Sequence, residues 1–506
     1  MLALLLPAAA GALLVLAGRA WSVRAAGAVA LLASGGALAA TIAAVADATS
    51  VDRPWIESLG TRFAFASDPV SAPLLILTAA IGVLVAIHGL RHAPEGGPPG
   101  LYFGCLLIVE SGALAAFWTR DILVFFVAFE IVLIPMWLLI ARFGDPHDPR
   151  ARSEAAGRFV LYTALGSTLM LAGVLALARF GGTTSMPDLV AAAGEGRLSA
   201  NVQFIAALLL VLGLAVKVPL FPLHSWLPPA HTIAPTGGSV LLAAILLKLG
   251  TYGLIRLPVA LTPDGFARLA PVLAVIGVVG IVWGGLVCLV ERDLKRLIAY
   301  SSIAHMGFVA LALGTGSALG VQAALLTNVA HGVVSALLFF VVGGLKERWG
   351  SSDLTVVRPA LRERWPGLGF ALITGLAASL ALPGLATFWG EFLAIYAAWS
   401  QDGTPGYLVA QGHMLGGWFA FGFGPPSGLL RGCAVVAALG AVLGAAYALR
   451  VARQVWVGEA YPRDRAGDLT GAELLVCAAL IVATVALGLF PDLVVPAFGV
   501  AVGVLP

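Results

Sequence analysis

The chain has 506 residues, of which 60% are hydrophobic and only 11% charged, and its formal net charge is +3. That composition excludes a soluble globular protein, which could not cover so much apolar surface. The near-balanced charge and the lack of any basic stretch exclude a nucleic-acid-binding role.

A helix that crosses a bilayer needs about 20 mostly apolar residues. In chain order the sequence predicts fourteen such spans: 2–18, 25–46, 69–90, 101–118, 121–141, 158–178, 202–222, 237–257, 269–290, 297–314, 319–343, 368–398, 431–452 and 472–490. The first has no basic segment before its apolar run, so it is expected to be a membrane helix and not a cleaved signal. The connections are too short for a soluble domain, and residues 1–506 are expected to form a single membrane domain. The predicted fold class is an all-α polytopic membrane protein with about fourteen transmembrane helices. One set of alternate connections carries more than twice the Lys and Arg of the other: Arg19, Arg24, Arg91, Arg142 and onward to Arg358, Arg463 and Arg465, against Arg53, Arg62, Arg120, Arg179, Arg197, Arg268 and Arg431. The basic set faces the cytoplasm, which places both termini outside.

Three spans carry helix-breaking residues. The seventh reads VKVPLFPLHSWLPPAH, the eleventh has His331-Gly332 at its middle, and the twelfth has Pro383-Gly384 and then Gly390-Glu391. Lipid tolerates free backbone groups only where protein or a wet cavity satisfies them. The seventh and twelfth spans lie five apart, each with a charged residue at its break. This predicts two inverted five-helix repeats, residues 101–257 (helices 4–8) and 269–452 (helices 9–13), with broken helices 7 and 12 and an ion path at mid-membrane.

The chain has only four lysines. Lys217 and Lys248 sit in apolar runs, while Lys295 and Lys346 are expected in charged loops, and no arginine falls in the middle of an apolar run. A guanidinium stays charged whatever its surroundings, whereas a desolvated lysine releases its proton readily. The intramembrane ionisable set is Glu110, Glu130, Lys217, Lys248, His305, His331 and Glu391. Such groups cost a few kcal/mol each at mid-bilayer unless paired. Acids and bases on separate apolar helices therefore suggest proton handling without a cofactor. Bland readings stand beside this one. Glu391 could cap the helix after its break, His305 and His331 could sit neutral against Ser301 and Ser335, and Glu110 could bond a neighbouring helix. His224 and His231 flank Pro228-Pro229, which suits the lining of a wet half-channel better than a metal site. Cys105, Cys288, Cys433 and Cys477 read as buried small hydrophobes, with no metal, haem or iron–sulfur spacing.

VPLFPLHSWLPPAHTIAPT at 218–236, LLKLGTYGLIR at 246–256, ERDLKRLIAYSSIAHMGF at 291–308, NVAHGVVSALLFF at 328–340 and LPGLATFWGEFL at 382–393 together resemble the antiporter-like subunits of proton-translocating NADH:quinone oxidoreductase, respiratory complex I. The glutamate at 391, where the L- and N-types carry lysine, and the chain's end soon after the fourteenth span resemble the M-type. The resemblance implies fourteen helices with two inverted repeats. It implies that Glu130 modulates Lys217, the central lysine of the broken seventh helix. Lys248 would bridge to the second half, Glu391 would exchange protons with the outside, and His305 and His331 would lie near the axis. Glu110 would contact the next subunit. It also implies a bacterial cytoplasmic membrane location with periplasmic termini, L- and N-type neighbours in the bilayer, and no cofactor in this chain, since flavin and iron–sulfur clusters would belong to partner subunits. Subunits of Mrp-type sodium/proton antiporters and of membrane-bound hydrogenases share the early motifs and stand as the alternatives.

Overall fold

Helices that are apolar on every side can only be stable in lipid or in a bundle core, and the chain contains little else. The computed structural model describes residues 1–355, 360–400, 427–457 and 467–495. Arg358, Arg463 and Arg465, invoked above for orientation, lie outside these. Among the described residues, thirteen helices are long and apolar enough to cross a membrane. They are Leu2–Ala20, Val23–Ala46, Ala72–His92, Pro99–Trp118, Ile122–Phe143, Pro149–Gly181, Ala200–Lys217, Thr236–Val259, Pro263–Val290, Leu294–Gly314, Ala318–Trp349, Ser427–Trp456 and Gly471–Leu489. The predicted twelfth span supplies the fourteenth crossing as two half-helices, Pro366–Ser379 and Thr387–Ser400.

The spans are not equally buried. Thr236–Val259 and Ala318–Trp349 are buried along their whole apolar windows, whereas the first two spans are 28% buried. Thus the eighth and eleventh spans form the axis, and the first two face outward. Close approach uses glycine: a methyl at Gly277 of the ninth span would press on the Gly307 carbonyl of the tenth, and one at Gly307 on the Gly277 carbonyl, the small-residue packing of membrane helices. Several helix starts are closed by side chains. Asp148, Ser199, Asp293, Ser317 and Thr470 each accept a first-turn N–H, as the otherwise unbonded groups there require.

Two findings differ from the sequence reading. The eleventh span is one uninterrupted helix, Ala318–Trp349. His331-Gly332 does not break it because a lone glycine costs a helix only about 1 kcal/mol and no proline follows. A short antiparallel hairpin, Ser50–Ile56 with Thr61–Ala66, fills the connection between the second and third spans. Trp55 stacks on Phe63 across it at 4.7 Å. The eighth span also contains two π-helical turns, Leu242–Leu246 and Ile255–Val259. Pro258, which has no N–H to give, accounts for the second. The first has no local cause in the sequence.

Candidate proton path

The seventh span stops at Lys217 because Pro219 and Pro222 cannot continue it, and helix resumes at Leu227–Ile233. The break is satisfied by protein. The Leu220 N–H turns back to the Ala215 carbonyl at 2.9 Å. That leaves the Val216 carbonyl free, and the indole Nε1 of Trp226 donates to it at 2.9 Å. Lys217 is buried, with Nζ 4.8 Å from the ring centre of Phe129 and 5.9 Å from that of Phe159. Ring faces offer a cation about 0.5–2 kcal/mol, less than desolvation costs it. Glu130 follows Phe129 in the chain, the residue whose ring Lys217 faces. Its carboxylate, however, accepts from the Ser167 hydroxyl, and among the described residues no ion pair within 4.0 Å joins it to the lysine. Glu130 and Lys217 thus lie in the same region without forming an ion pair.

The second half of the candidate path is a row of adjacent buried groups. Lys248 is fully buried on the eighth span, and its Nζ donates to the Ala243 carbonyl of the first π turn at 2.7 Å. The same Nζ lies 2.5 Å from Nδ1 of His331 on the eleventh span. Two cations at 2.5 Å would repel by about 7 kcal/mol at an effective dielectric near 20, so Lys248 and His331 are not both protonated. His331 faces His305 of the tenth span with ring centres 5.4 Å apart. His305 Nδ1 is 2.6 Å from Glu391 Oε1, and its Nε2 is 3.1 Å from Ser379 Oγ. All four ionisable groups are buried.

The local partners named in the bland readings are not found for the histidines or Glu391, whereas Glu110 does bond a neighbouring helix. Ser301 and Ser335 do not support the histidines. Their hydroxyls donate to carbonyls of their own helices, Ile298 at 2.8 Å and Gly332 at 3.3 Å, the local bonding that short hydroxyl side chains favour. Glu391 does not cap its helix, since its carboxylate is committed to His305. The twelfth-span break is shaped by Pro383 and by Gly384 at φ +88°, a conformation that suits glycine. Glu110 stands apart from the series. It accepts from Ser34 at 2.6 Å, and a methyl at Gly82 would collide with its carboxylate. His231 stacks on Phe339 with ring centres 4.4 Å apart, and neither of its buried ring nitrogens has a protein partner. Such groups in membrane interiors are satisfied by water, which fits a wet lining.

The sequence reading missed two buried cations. Lys295, assigned to a charged loop, is buried and donates to the Ala234 carbonyl at 2.9 Å. Arg256, at the end of the eighth span, is 1% exposed inside the second π turn and pairs with Asp68. Arg120 completes that cluster at 2.8 Å. Burial alone would push the Asp68 carboxyl up, but the two guanidiniums outweigh it and hold it below the usual carboxylate range. Asp68 also accepts from the Val70 and Ser71 N–H groups at the start of the third span. A strongly paired acid and arginine of this kind is a fixed structural charge. No one-dimensional signal links position 68 to 256.

Residues 119–414 match the family model described as NADH:quinone oxidoreductase/Mrp antiporter, transmembrane. The chain is 36% identical over 453 residues to an NAD(P)H-quinone oxidoreductase chain 4 of Synechococcus sp., covering 88% of this chain and 79% of the relative. It is also 36% identical over 458 residues to a chain 4 of Trichormus variabilis, with 88% and 78% covered. Among solved structures it is similar to a chain of respiratory complex I from Thermus thermophilus, with TM-score 0.81, 30% identity, and 98% and 97% of the two chains covered. A chain of the Mrp complex from Dietzia sp. shares the fold, with TM-score 0.80 at 24% identity, covering 98% of this chain and 51% of that one. The chain belongs to the NADH:quinone oxidoreductase/Mrp antiporter transmembrane family, among its M-type, chain 4 members.

Proposed function

We propose that this chain translocates protons as a multi-pass membrane subunit of an NADH:quinone oxidoreductase, with Glu130, Lys217, Lys248, His331, His305 and Glu391 as the proton-carrying groups. The observation that carries the reading is the row of buried groups from Lys248 through His331 and His305 to Glu391, hydrogen-bonded at its two ends and in ring contact between the histidines. Four buried groups drawn from four spans lie side by side, and each can gain or lose a proton. A scaffold needs none of them.

Lys217 stores a proton while Glu130 offsets its desolvation. Movement of the Glu130 carboxylate, now held by Ser167, removes that offset, and the lysine gives its proton up toward Lys248. Lys248 passes it to His331 Nδ1, and His305 delivers it to Glu391, which exchanges with the outside. Water between the broken helices spans the separations that side chains do not. Glu110, buried against the second and third spans, is the group through which a neighbouring subunit's charge acts. L- and N-type antiporter-like subunits adjoin the chain. Redox chemistry resides in partner subunits that carry flavin and iron–sulfur clusters, and this chain holds no cofactor. The helix breaks five spans apart support inverted repeats over 101–257 and 269–452. The surplus of basic residues on one set of connections supports a bacterial cytoplasmic membrane location with both termini periplasmic.

The test uses membrane vesicles from the native host, wild type against Lys217→Ala. NADH-driven quinone reduction and lumen acidification are recorded together. Loss of acidification supports the proposal. Near-normal acidification by the variant refutes the role of Lys217, and sodium-driven proton exchange without any response to NADH would assign the chain to an antiporter instead.

A further inference from the structure

We propose that His88, His92 and Glu347 form a binding site for a divalent transition-metal ion of the zinc class, joining the third span to the end of the eleventh. The two histidines are four residues apart on one helix, Ala72–His92, so both rings project from the same face. The spacing is that of helical metal chelates. Their rings lie 4.6 Å apart. Glu347 reaches them from Ala318–Trp349, with Oε2 2.7 Å from His92 Nδ1. One ligand atom from each of the three residues lies within 4.8 Å of the others.

An ordinary histidine–carboxylate pair accounts for only part of this arrangement. His88 is 3% exposed, packs its ring on Phe340 at 5.1 Å, and leaves Nδ1 with no hydrogen-bond partner. His92 Nε2 is also enclosed and unpartnered. Buried imidazole nitrogens without partners lose about 1–3 kcal/mol each, and a cation recovers that cost. Zinc–nitrogen and zinc–oxygen distances near 2.0–2.1 Å put neighbouring tetrahedral ligand atoms roughly 3.3 Å apart. Rotamer adjustment brings the present cluster to that spacing once the His92–Glu347 hydrogen bond opens. The adjoining cations do not compete for Glu347: Arg348 is held by Glu473 at 2.8 and 2.9 Å, and Lys346 by Asp145 at 2.5 Å. Two imidazoles and one carboxylate leave the fourth tetrahedral position to water, which is the arrangement of an open zinc site. The two histidines are visible at chelate spacing in the sequence, but the third ligand is 255 positions from His92.

The test is zinc binding by the full-length chain, purified in detergent and stripped with chelator. Zinc chloride is titrated by equilibrium dialysis with elemental analysis, and the bound ion is examined by X-ray absorption. Wild type should hold one zinc equivalent that His88→Gln, His92→Gln and Glu347→Gln each weaken at least tenfold, with imidazole scattering in the wild-type spectrum. Glu347 has a side chain 46% exposed, so its replacement tests the site without opening the core. Equal zinc binding by wild type and Glu347→Gln, or no imidazole scattering from the bound ion, overturns the assignment. So does a wild type that holds no zinc.

Discussion

Lys248→Arg separates a charge from a movable proton. The lysine is fully buried, bonds the Ala243 carbonyl and lies 2.5 Å from His331 Nδ1. Arginine keeps the cation and can keep a donor to Ala243, so the change preserves charge and much of the local bonding. Its ordinary pKa exceeds that of lysine by about 2–3.5 units. At about 1.4 kcal/mol per unit, release of the proton becomes roughly 3–5 kcal/mol harder, on the order of a 10²–10³-fold slower step. A permanent cation beside His331 adds repulsion against any proton arriving there, of the same size as the roughly 7 kcal/mol worked from the 2.5 Å separation. The assay is NADH-driven acidification of vesicles beside NADH oxidation by a soluble artificial acceptor, which reports that the complex has assembled. Acidification should fall below about a tenth of wild type while the artificial-acceptor rate is kept. A variant that pumps at the wild-type rate would show that the proton does not pass through Lys248, and the reasoning would fail.

Other outcomes follow from single contacts. Asp68→Asn leaves Arg256 buried without its carboxylate and should cost about 3–5 kcal/mol, read as a lower thermal midpoint of the purified chain. Because the Asp68 carboxyl is held below its ordinary range, its stabilisation is complete above the unfolded value near pH 4 and is lost only as pH falls through the lower folded value. The midpoint difference between wild type and Asp68→Asn should therefore be constant from about pH 8 to 5. Gly250→Ala would place a methyl 2.8 Å from Val218 Cγ2 and 3.2 Å from Lys217 Cβ. It should cost about 1–3 kcal/mol and lower the pumping rate without removing any ionisable group, measured in the same vesicles. Trp226→Phe leaves the Val216 carbonyl unbonded at the seventh-span break. A loss of about 1–3 kcal/mol should appear as faster amide exchange confined to residues 214–227.

The sequence by itself determined most of the spanning helices and many of the buried ionisable groups. Apolar length alone marks a spanning helix, and so the fourteen predicted crossings recur, including the halves on either side of Pro383-Gly384. The break at Lys217 was legible because an apolar run containing one lysine and two nearby prolines has few structural explanations. Tertiary structure decided who meets whom. The partnership of Lys248 with His331 and of His305 with Glu391 joins positions 83 and 86 residues apart, and it corrected the local serine partners that helical spacing suggested. The continuity of the eleventh helix, the burial of Lys295 and Arg256, and the gathering of His88, His92 and Glu347 were decided there too. Hydropathy and spacing describe each helix against a uniform solvent. The state of a buried charge depends on the few atoms that replace water around it, and those atoms come from other helices.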